Sequence, residues 1–384
     1  MMNHSDKVMN QEIVNLRHEL HKYPELSNKE YKTSKRIIKF IEKLNPDEMI
    51  KLGKTSVAFA FNGKTKGNTV VFRSELDALQ IKEQSTIEYR SQNDHIAHSC
   101  GHDGHMAILT GLAQKIAENR PLAGRVILLF QAAEEVEQGA RDIVENPLFK
   151  ALKPHAIFAL HNVPGFEKHK IILKKGSFAS ASKGMTIKLS GKTSHAAEPQ
   201  NGISPATAIA EIIKELHVLK ADKTLFKDFI LLTIIHIQLG EIAFGTSPGY
   251  AEIRITLRAF ENKDMELLSA QAEKIVNTIA KAEKLGCEIS YNEVFPATVN
   301  KDEFVQLVDQ SAKTLGLNTE YIENPFKWSE DFGYFTEEYE SCYFGLGSGK
   351  NQAPLHNPDY DFPDEIIETG IKMFYQIYKS IHLK

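Results

Sequence analysis

Three short apolar runs, residues 69–72, 126–130 and 156–160, constrain the fold of this 384-residue chain more than any other feature. Helical stretches such as 106–117 separate them, and short apolar runs in that setting suit strands buried on both faces of a mostly parallel sheet. A polar group follows each run closely: Asp77 the first, Glu134-Glu135 the second and His161 the third. In open α/β sheets ligands sit outside the carboxyl ends of the strands, so groups delivered there converge on one site.

The string Cys100-Gly-His102-Asp-Gly-His105 adds a thiol and imidazoles to those carboxylates, and His356 lies in a later polar turn. Thiolate, imidazole and carboxylate together suit divalent zinc, manganese or cobalt rather than calcium or magnesium, and the set reads as a dinuclear hydrolase site. Cys100 and His102 come from a loop leading into a helix that begins near Gly104, and a helix N-terminus favours thiolate over thiol. A lone cysteine is more often inert core, and a Glu-Glu pair is more often a solvated surface. Placement at strand ends is what singles these out. His105, three residues after His102, reads as packing or as support for a ligand, and His21 as part of a structural turn.

Apolar spacing predicts helices over 12–20 and 31–44, with Pro24 between them. From 183 to 293 the pattern changes: 185–189 and 251–257 alternate as half-exposed strands, while 204–219 and 265–285 read as amphipathic helices. The last segment ends in a helix over 364–381. For His356 to reach the first sheet, that segment must return to it. The expected architecture is therefore α/β, a mostly parallel mixed sheet flanked by helices and built from 1–182 and 294–384, with 183–293 inserted as a smaller α+β unit. A net charge of −4 points away from nucleic acid and from anionic membranes. Three dispersed cysteines fit a reducing compartment, and no apolar run reaches membrane-spanning length, so the cytoplasm is the expected location.

Eight strings in order make the chain resemble a known group. They are Leu20-His-Lys-Tyr-Pro-Glu-Leu26, Arg73-Ser-Glu-Leu-Asp-Ala-Leu79, Ala97-His-Ser-Cys-Gly-His-Asp-Gly-His105, Gln131-Ala-Ala-Glu-Glu135, Leu160-His161, Gly191-Lys-Thr-Ser-His-Ala-Ala197, Ser329-Glu-Asp-Phe332 and Leu355-His-Asn-Pro358. The chain is similar to the N-acyl-amino-acid amidohydrolase branch of the dinuclear metallopeptidase superfamily. That branch holds hippurate hydrolases, N-acetyldiaminopimelate deacetylases and auxin-conjugate hydrolases, and is related to aminoacylase and carboxypeptidase G. The cysteine in the metal loop sets it apart from branches with an aspartate there.

The resemblance implies a zinc-exopeptidase-like catalytic domain with a lid, and two divalent ions per subunit: manganese, zinc or cobalt, with nickel a further candidate. It implies Cys100, His102, Glu135, His161 and His356 as ligands, Glu134 as general base and Asp77 as a carboxylate that orients a ligand. His195, in the inserted unit, falls on a histidine that stabilises the oxyanion; the plain reading is a surface-loop histidine. Arg258 either binds a substrate carboxylate or is a structural strand-end arginine. The implied reaction is hydrolysis of an N-acyl amino acid, with a dipeptidase, aminopeptidase or carboxypeptidase acting on short peptides as the alternative, and a homodimer through the lid is a further implication. Two departures stand out. Glu75 and Gln80 replace the usual residues around Asp77, and 244–248 reads Phe-Gly-Thr-Ser-Pro where the family commonly has Asn-Val-Ile-Pro, which bears on substrate recognition.

Overall fold

The structure, a computed structural model, describes residues 4–383, with side chains from residue 11 onward. It divides into two compact units. The first holds the chain up to Phe178, Thr298–Asn324 and Asp331 onward; the second holds Ala179–Ala297 together with Pro325–Glu330. The hexapeptide Pro325–Glu330 thus leaves the C-terminal segment for the second unit, which hydropathy gave no reason to expect.

In the first unit, strands β1 (Glu48–Lys51), β2 (Val57–Asn62), β3 (Thr65–Glu75), β4 (Ala123–Gln131), β5 (Ala156–Pro164) and β6 (Ile171–Leu173) precede the second unit in the chain. That unit contributes β7 (Ala181–Ser190), β8 (Ile230–Leu239), β9 (Tyr250–Ala259) and β10 (Gly286–Phe295), and β11 (Thr319–Tyr321) and β12 (Ser341–Gly349) return to the first. The first sheet runs β1-β2-β4-β3-β5-β12-β6-β11. Its centre, β4-β3-β5-β12, is parallel, with Val70 beside Val126 and Gly345 beside His161, while the β1–β2, β2–β4 and β12–β6 pairs are antiparallel. The central strands are buried along nearly their whole inner length, so they carry no polar alternation.

Helices α1 (His4–Lys22), α2 (Tyr31–Glu42) and α3 (His102–Glu118) belong to this unit. The second unit carries α4 (Ala206–Ala221) and α5 (Asn262–Ala282), and the first resumes with α6 (Asp302–Thr314) and α7 (Ile367–His382). Helix α3 is apolar on almost every side and buried accordingly. It packs closely because Gly111 has no side chain: a Cβ there would stand 2.2 Å from Ile371 of α7. Phe72, Phe158 and Phe374 meet in the core with ring centroids 5.7 and 5.1 Å apart. Burying each such ring is worth about 2–3 kcal/mol.

The second unit is an antiparallel sheet, β8-β9-β7-β10, covered on one face by α4 and α5. Met185, Ile187 and Leu189 alternate inward with Ile253, Ile255 and Leu257 against Ile212, Leu216, Leu268 and Val276. Period 2 on the strands and 3.6 on the helices therefore meet in one two-layer core. No helix among the described residues is long and apolar enough to cross a membrane.

Candidate metal centre

The site in the first unit is built where β3, β4 and β5 reach their carboxyl ends. Past β4 the chain turns at Ala133, whose φ of 55° is left-handed, a strain of about 1–2 kcal/mol for a residue with a Cβ. Buried Glu30 holds that turn by accepting the Ala133 N–H at 2.9 Å, and Ser56 Oγ accepts the Ala132 N–H at 3.0 Å. The turn presents Glu134 and Glu135 side by side. Asp77 Oδ2 accepts the Glu135 N–H at 3.0 Å and the Ser27 hydroxyl at 2.7 Å, so this carboxylate fixes the backbone of Glu135.

Gly101 caps α3 with a φ of 89°, and a Cβ there would meet Asn162 Oδ1 at 2.5 Å. Only glycine fits, and it places Cys100 just outside the helix with His102 as its first residue, two residues earlier than the sequence pattern suggested. His161 lies within β5 rather than after it, because the strand continues to Pro164.

Two histidine tautomers follow from their partners. His102 Nδ1 stands 2.9 Å from the Asp77 carbonyl oxygen and His161 Nδ1 2.8 Å from the Asn162 carbonyl oxygen. A carbonyl only accepts, so both rings carry a proton on Nδ1 and turn Nε2 inward. His102 Nε2 is buried and makes no hydrogen bond, and His161 Nε2 lies 3.4 Å from Cys100 Sγ. The Asp77 carboxylate is 3.6 Å from His102 Nδ1, so it acts on that ring through charge while its own carbonyl makes the bond.

Burial alone drives both rings toward neutrality. For His161 it prevails, aided by the neighbouring His105, and keeps the ring well below the usual imidazole range. For His102, Asp77, Glu75 and Glu135 outweigh burial and raise the ring to about 10. Carboxylates on both sides of this ring, Asp77 near Nδ1 and Glu134 and Glu135 near Nε2, favour a positive charge there, either a proton or a metal.

The ligand atoms of Cys100, His102 and His161 lie within 4.8 Å of one another, as do those of Cys100, Glu135 and His356. Cys100 belongs to both groups. Glu134 is buried beside them, with Oε2 3.9 Å from His102 Nε2. His356 reaches the site from an irregular loop after β12, at a φ of 65°, and its N–H is tied to the Ser99 carbonyl at 2.8 Å.

His105 has both ring nitrogens engaged, Nδ1 with Glu75 Oε2 at 2.7 Å and Nε2 with Asn162 Oδ1 at 2.6 Å, so it supports the site from within the protein. Sequence reasoning gave no role to Arg73, Asn162 or Asp331. Arg73 pairs with Glu75, and its Nη2 lies 2.7 Å from Asp331 Oδ1. Asp331 also accepts from Gln131 Nε2 at 2.7 Å and from the Ala140 N–H at 2.8 Å. Two signals were available: Asn162 follows His161, and Asp331 lies in the string 329–332.

His195 and Arg258 lie in the second unit. His195 is exposed and pairs with Thr246 across a two-residue ladder that includes part of the unusual 244–248 turn. Its Nδ1 accepts the Ala197 N–H at 3.1 Å, which leaves Nε2–H as an outward donor. Arg258 Nη1 donates to the Lys327 carbonyl and to Ser329 Oγ, each at 2.9 Å, and the guanidinium pairs with no carboxylate among the described residues. Desolvation accordingly lowers its pKa.

The profile of peptidase family M20/M25/M40 matches residues 71–380. The hippurate hydrolase of Campylobacter jejuni is 30% identical over 365 residues, 94% of each chain. The N-acetylcysteine deacetylase of Bacillus subtilis is 27% identical over 379 residues, 97% of each chain. Among solved structures, a dinuclear metal-binding peptidase of family M20 from Bacillus subtilis is similar with a TM-score of 0.85 at 25% identity, covering 98% of this chain and 99% of that one. With the profile spanning most of its length, the chain belongs to peptidase family M20/M25/M40.

Proposed function

We propose that this protein is a metal-dependent amidohydrolase that frees the amino acid from an N-acyl amino acid. The observation that carries the reading is the pair of ligand groups sharing Cys100 beside the carboxylate of Glu134. In this reading Cys100, His102 and His161 hold one divalent ion, and Cys100, Glu135 and His356 hold the other. The residues fit such ions: His102 Nε2 is a buried nitrogen with no hydrogen bond, and a thiolate with imidazoles and a carboxylate suits zinc, manganese, cobalt or nickel. When bound, two such ions polarise an amide carbonyl and lower the pKa of water.

Glu134 then takes the proton of the attacking water, a bond forms between that oxygen and the carbonyl carbon, and the C–N bond breaks as Glu134 returns the proton to the leaving amine. Asp77 keeps Glu135 oriented through its backbone. His195 Nε2–H is the donor we assign to the carbonyl oxygen in the transition state. Arg258, lacking a carboxylate of its own, is assigned to the substrate carboxylate. The names of the hippurate- and N-acetylcysteine-cleaving relatives support the substrate class.

The thiol role of Cys100 fits a reducing compartment, the cytoplasm. We further propose that two copies pair through the edge strand β8, where Ile235, Ile237 and Leu239 are exposed. Sedimentation at equilibrium reads that directly.

The test of function is amine release from N-acetyl, N-benzoyl and N-succinyl amino acids and from matching dipeptides, after chelation and with manganese, zinc or cobalt restored. Metal-dependent cleavage of one N-acyl series supports the reading. Cleavage of the dipeptides alone would replace it with a peptidase.

A further inference from the structure

Arg17 of α1 is fully buried and faces three carboxylates. Nη1 donates to Asp103 Oδ2 at 3.0 Å and to Asp361 Oδ1 at 2.8 Å, and Nε lies 2.6 Å from Asp364 Oδ1. The guanidinium carbon sits 4.6 Å from the centroid of the Tyr89 ring, and the Tyr89 hydroxyl donates to Asp361 Oδ2 at 2.7 Å. One turn along α1, His21 places Nδ1 2.9 Å from the same Asp103 oxygen and Nε2 3.2 Å from Glu83.

Burying this many charges costs several kcal/mol per ion, and well-packed apolar residues would hold α1 in place at least as well. Geometry offers a reason for them. Asp103 follows His102 in the first turn of α3, and Asp361 lies five residues beyond His356. Arg17 Nη1 bridges both carboxylates, and so joins the two segments that deliver Cys100 with His102 and His356.

The two ligand groups depend on that link unequally. His102 and His161 stand on a helix and a strand. His356 stands on irregular chain between Gly349 and Asp364, in a left-handed conformation, and is placed by tethers. They include its own N–H on Ser99, the Pro358 carbonyl accepting the Gln84 N–H at 2.7 Å, Tyr360 with Asn162, and Asp361 with Arg17 and Tyr89.

We infer that Arg17 is a positioning residue for the second metal position: by bridging Asp103 and Asp361 it sets His356 opposite Cys100 and Glu135. This rests on the dinuclear reading above. A lysine in its place keeps the charge but loses the planar fork that serves several carboxylates at fixed spacing.

The test is metal titration of chelator-stripped wild type, Arg17→Lys and Asp361→Asn with zinc and with manganese, together with thermal melting of the metal-free forms. Wild type is expected to take two ions. Each variant is expected to keep the first at wild-type affinity and to bind the second about 10–100-fold more weakly. A general loss of packing would weaken both ions in parallel with a lowered melting temperature, and that result overturns the inference, as does wild-type affinity for both ions. If Arg17→Lys does not fold, Asp361→Asn reads the same tether from a partly exposed position and decides alone. A wild type that takes fewer than two ions removes the dinuclear reading and this inference with it. Two ions in wild type with unaffected variants removes only the inference.

Discussion

The main-chain N–H of Asp331 points at Glu134 Oε1, 3.4 Å away and 197 residues distant in sequence. That contact is long for a hydrogen bond and so a weak one. Glu134 belongs to neither of the two groups that share Cys100, though it does fall in a group with His102 and Glu135, and it is the residue proposed for proton transfer. Glu134→Gln should keep both metal ions and lose kcat by about 10²–10⁴-fold, the range of a removed general base. Steady-state kinetics with metal analysis on the same sample checks this, and full turnover would end the assignment.

Asp331 answers a buried guanidinium, with Arg73 Nη2 at 2.7 Å and both side chains inaccessible to solvent. Removing that charge takes away one of the buried carboxylates that pair with Arg73, Glu75 being another. Asp331→Asn should therefore destabilise the metal-free protein by about 3 kcal/mol or more, as broken buried pairs do. Urea unfolding measures it. A change within error would mean that Arg73 is neutralised without Asp331.

Sharing of Cys100 between the two ligand groups gives the metal variants different outcomes. Cys100→Ala should lose both ions, whereas His356→Ala should lose one, because His102 and His161 keep their positions on α3 and β5. Metal content by mass spectrometry after gel filtration separates the two results. One ion retained by Cys100→Ala would argue against a shared thiolate.

The strand ends were legible because buried parallel strands have a composition of their own, and the candidate ligands near those ends are side chains of distinctive chemistry. What the sequence did not carry was the role of backbone. His102 is oriented by the carbonyl of Asp77, not its carboxylate, and Glu135 by the Asp77 carboxylate through an N–H. Nor could it assign the string 20–26. Its Glu25 caps α2 by accepting the N–H groups of Lys32 and Thr33, and its His21 enters the Arg17 cluster. Those pairings span tens to hundreds of residues, and periodicity holds only local information. The Pro325–Glu330 segment was missed for the same reason, since its place depends on bonds such as Ser180 N–H to the Phe326 carbonyl.

His195 offers Nε2–H outward because Nδ1 is taken by Ala197. If that donor serves the transition state, His195→Ala should lower kcat by about 10²–10³-fold, with KM and metal content nearly unchanged. Rescue by an added imidazole would strengthen the case. Unaltered kinetics would return His195 to an ordinary surface residue.

The His21–Asp103 pair should make stability depend on pH in a defined direction. Burial, the largest influence on His21, favours the neutral ring, but the Asp103 carboxylate at 2.9 Å and the contact with Glu83 reverse it and raise the ring to about 9. A group raised on folding contributes fully below its unfolded value, here about 6.5, and loses that contribution as pH climbs through its folded value. Asp103 is depressed well below the usual carboxylate range although burial opposes this; its contribution is complete above about 3.8 and fails only in strong acid. His102 slopes the same way in the metal-free protein, so the informative quantity is the difference between wild type and a His21 variant. Melting temperatures of the chelator-stripped protein should fall between pH 6.5 and 9. His21→Gln should melt lower at pH 6 and show a shallower fall across that window. Parallel curves for the two proteins would mean that His21 gains no charge on folding.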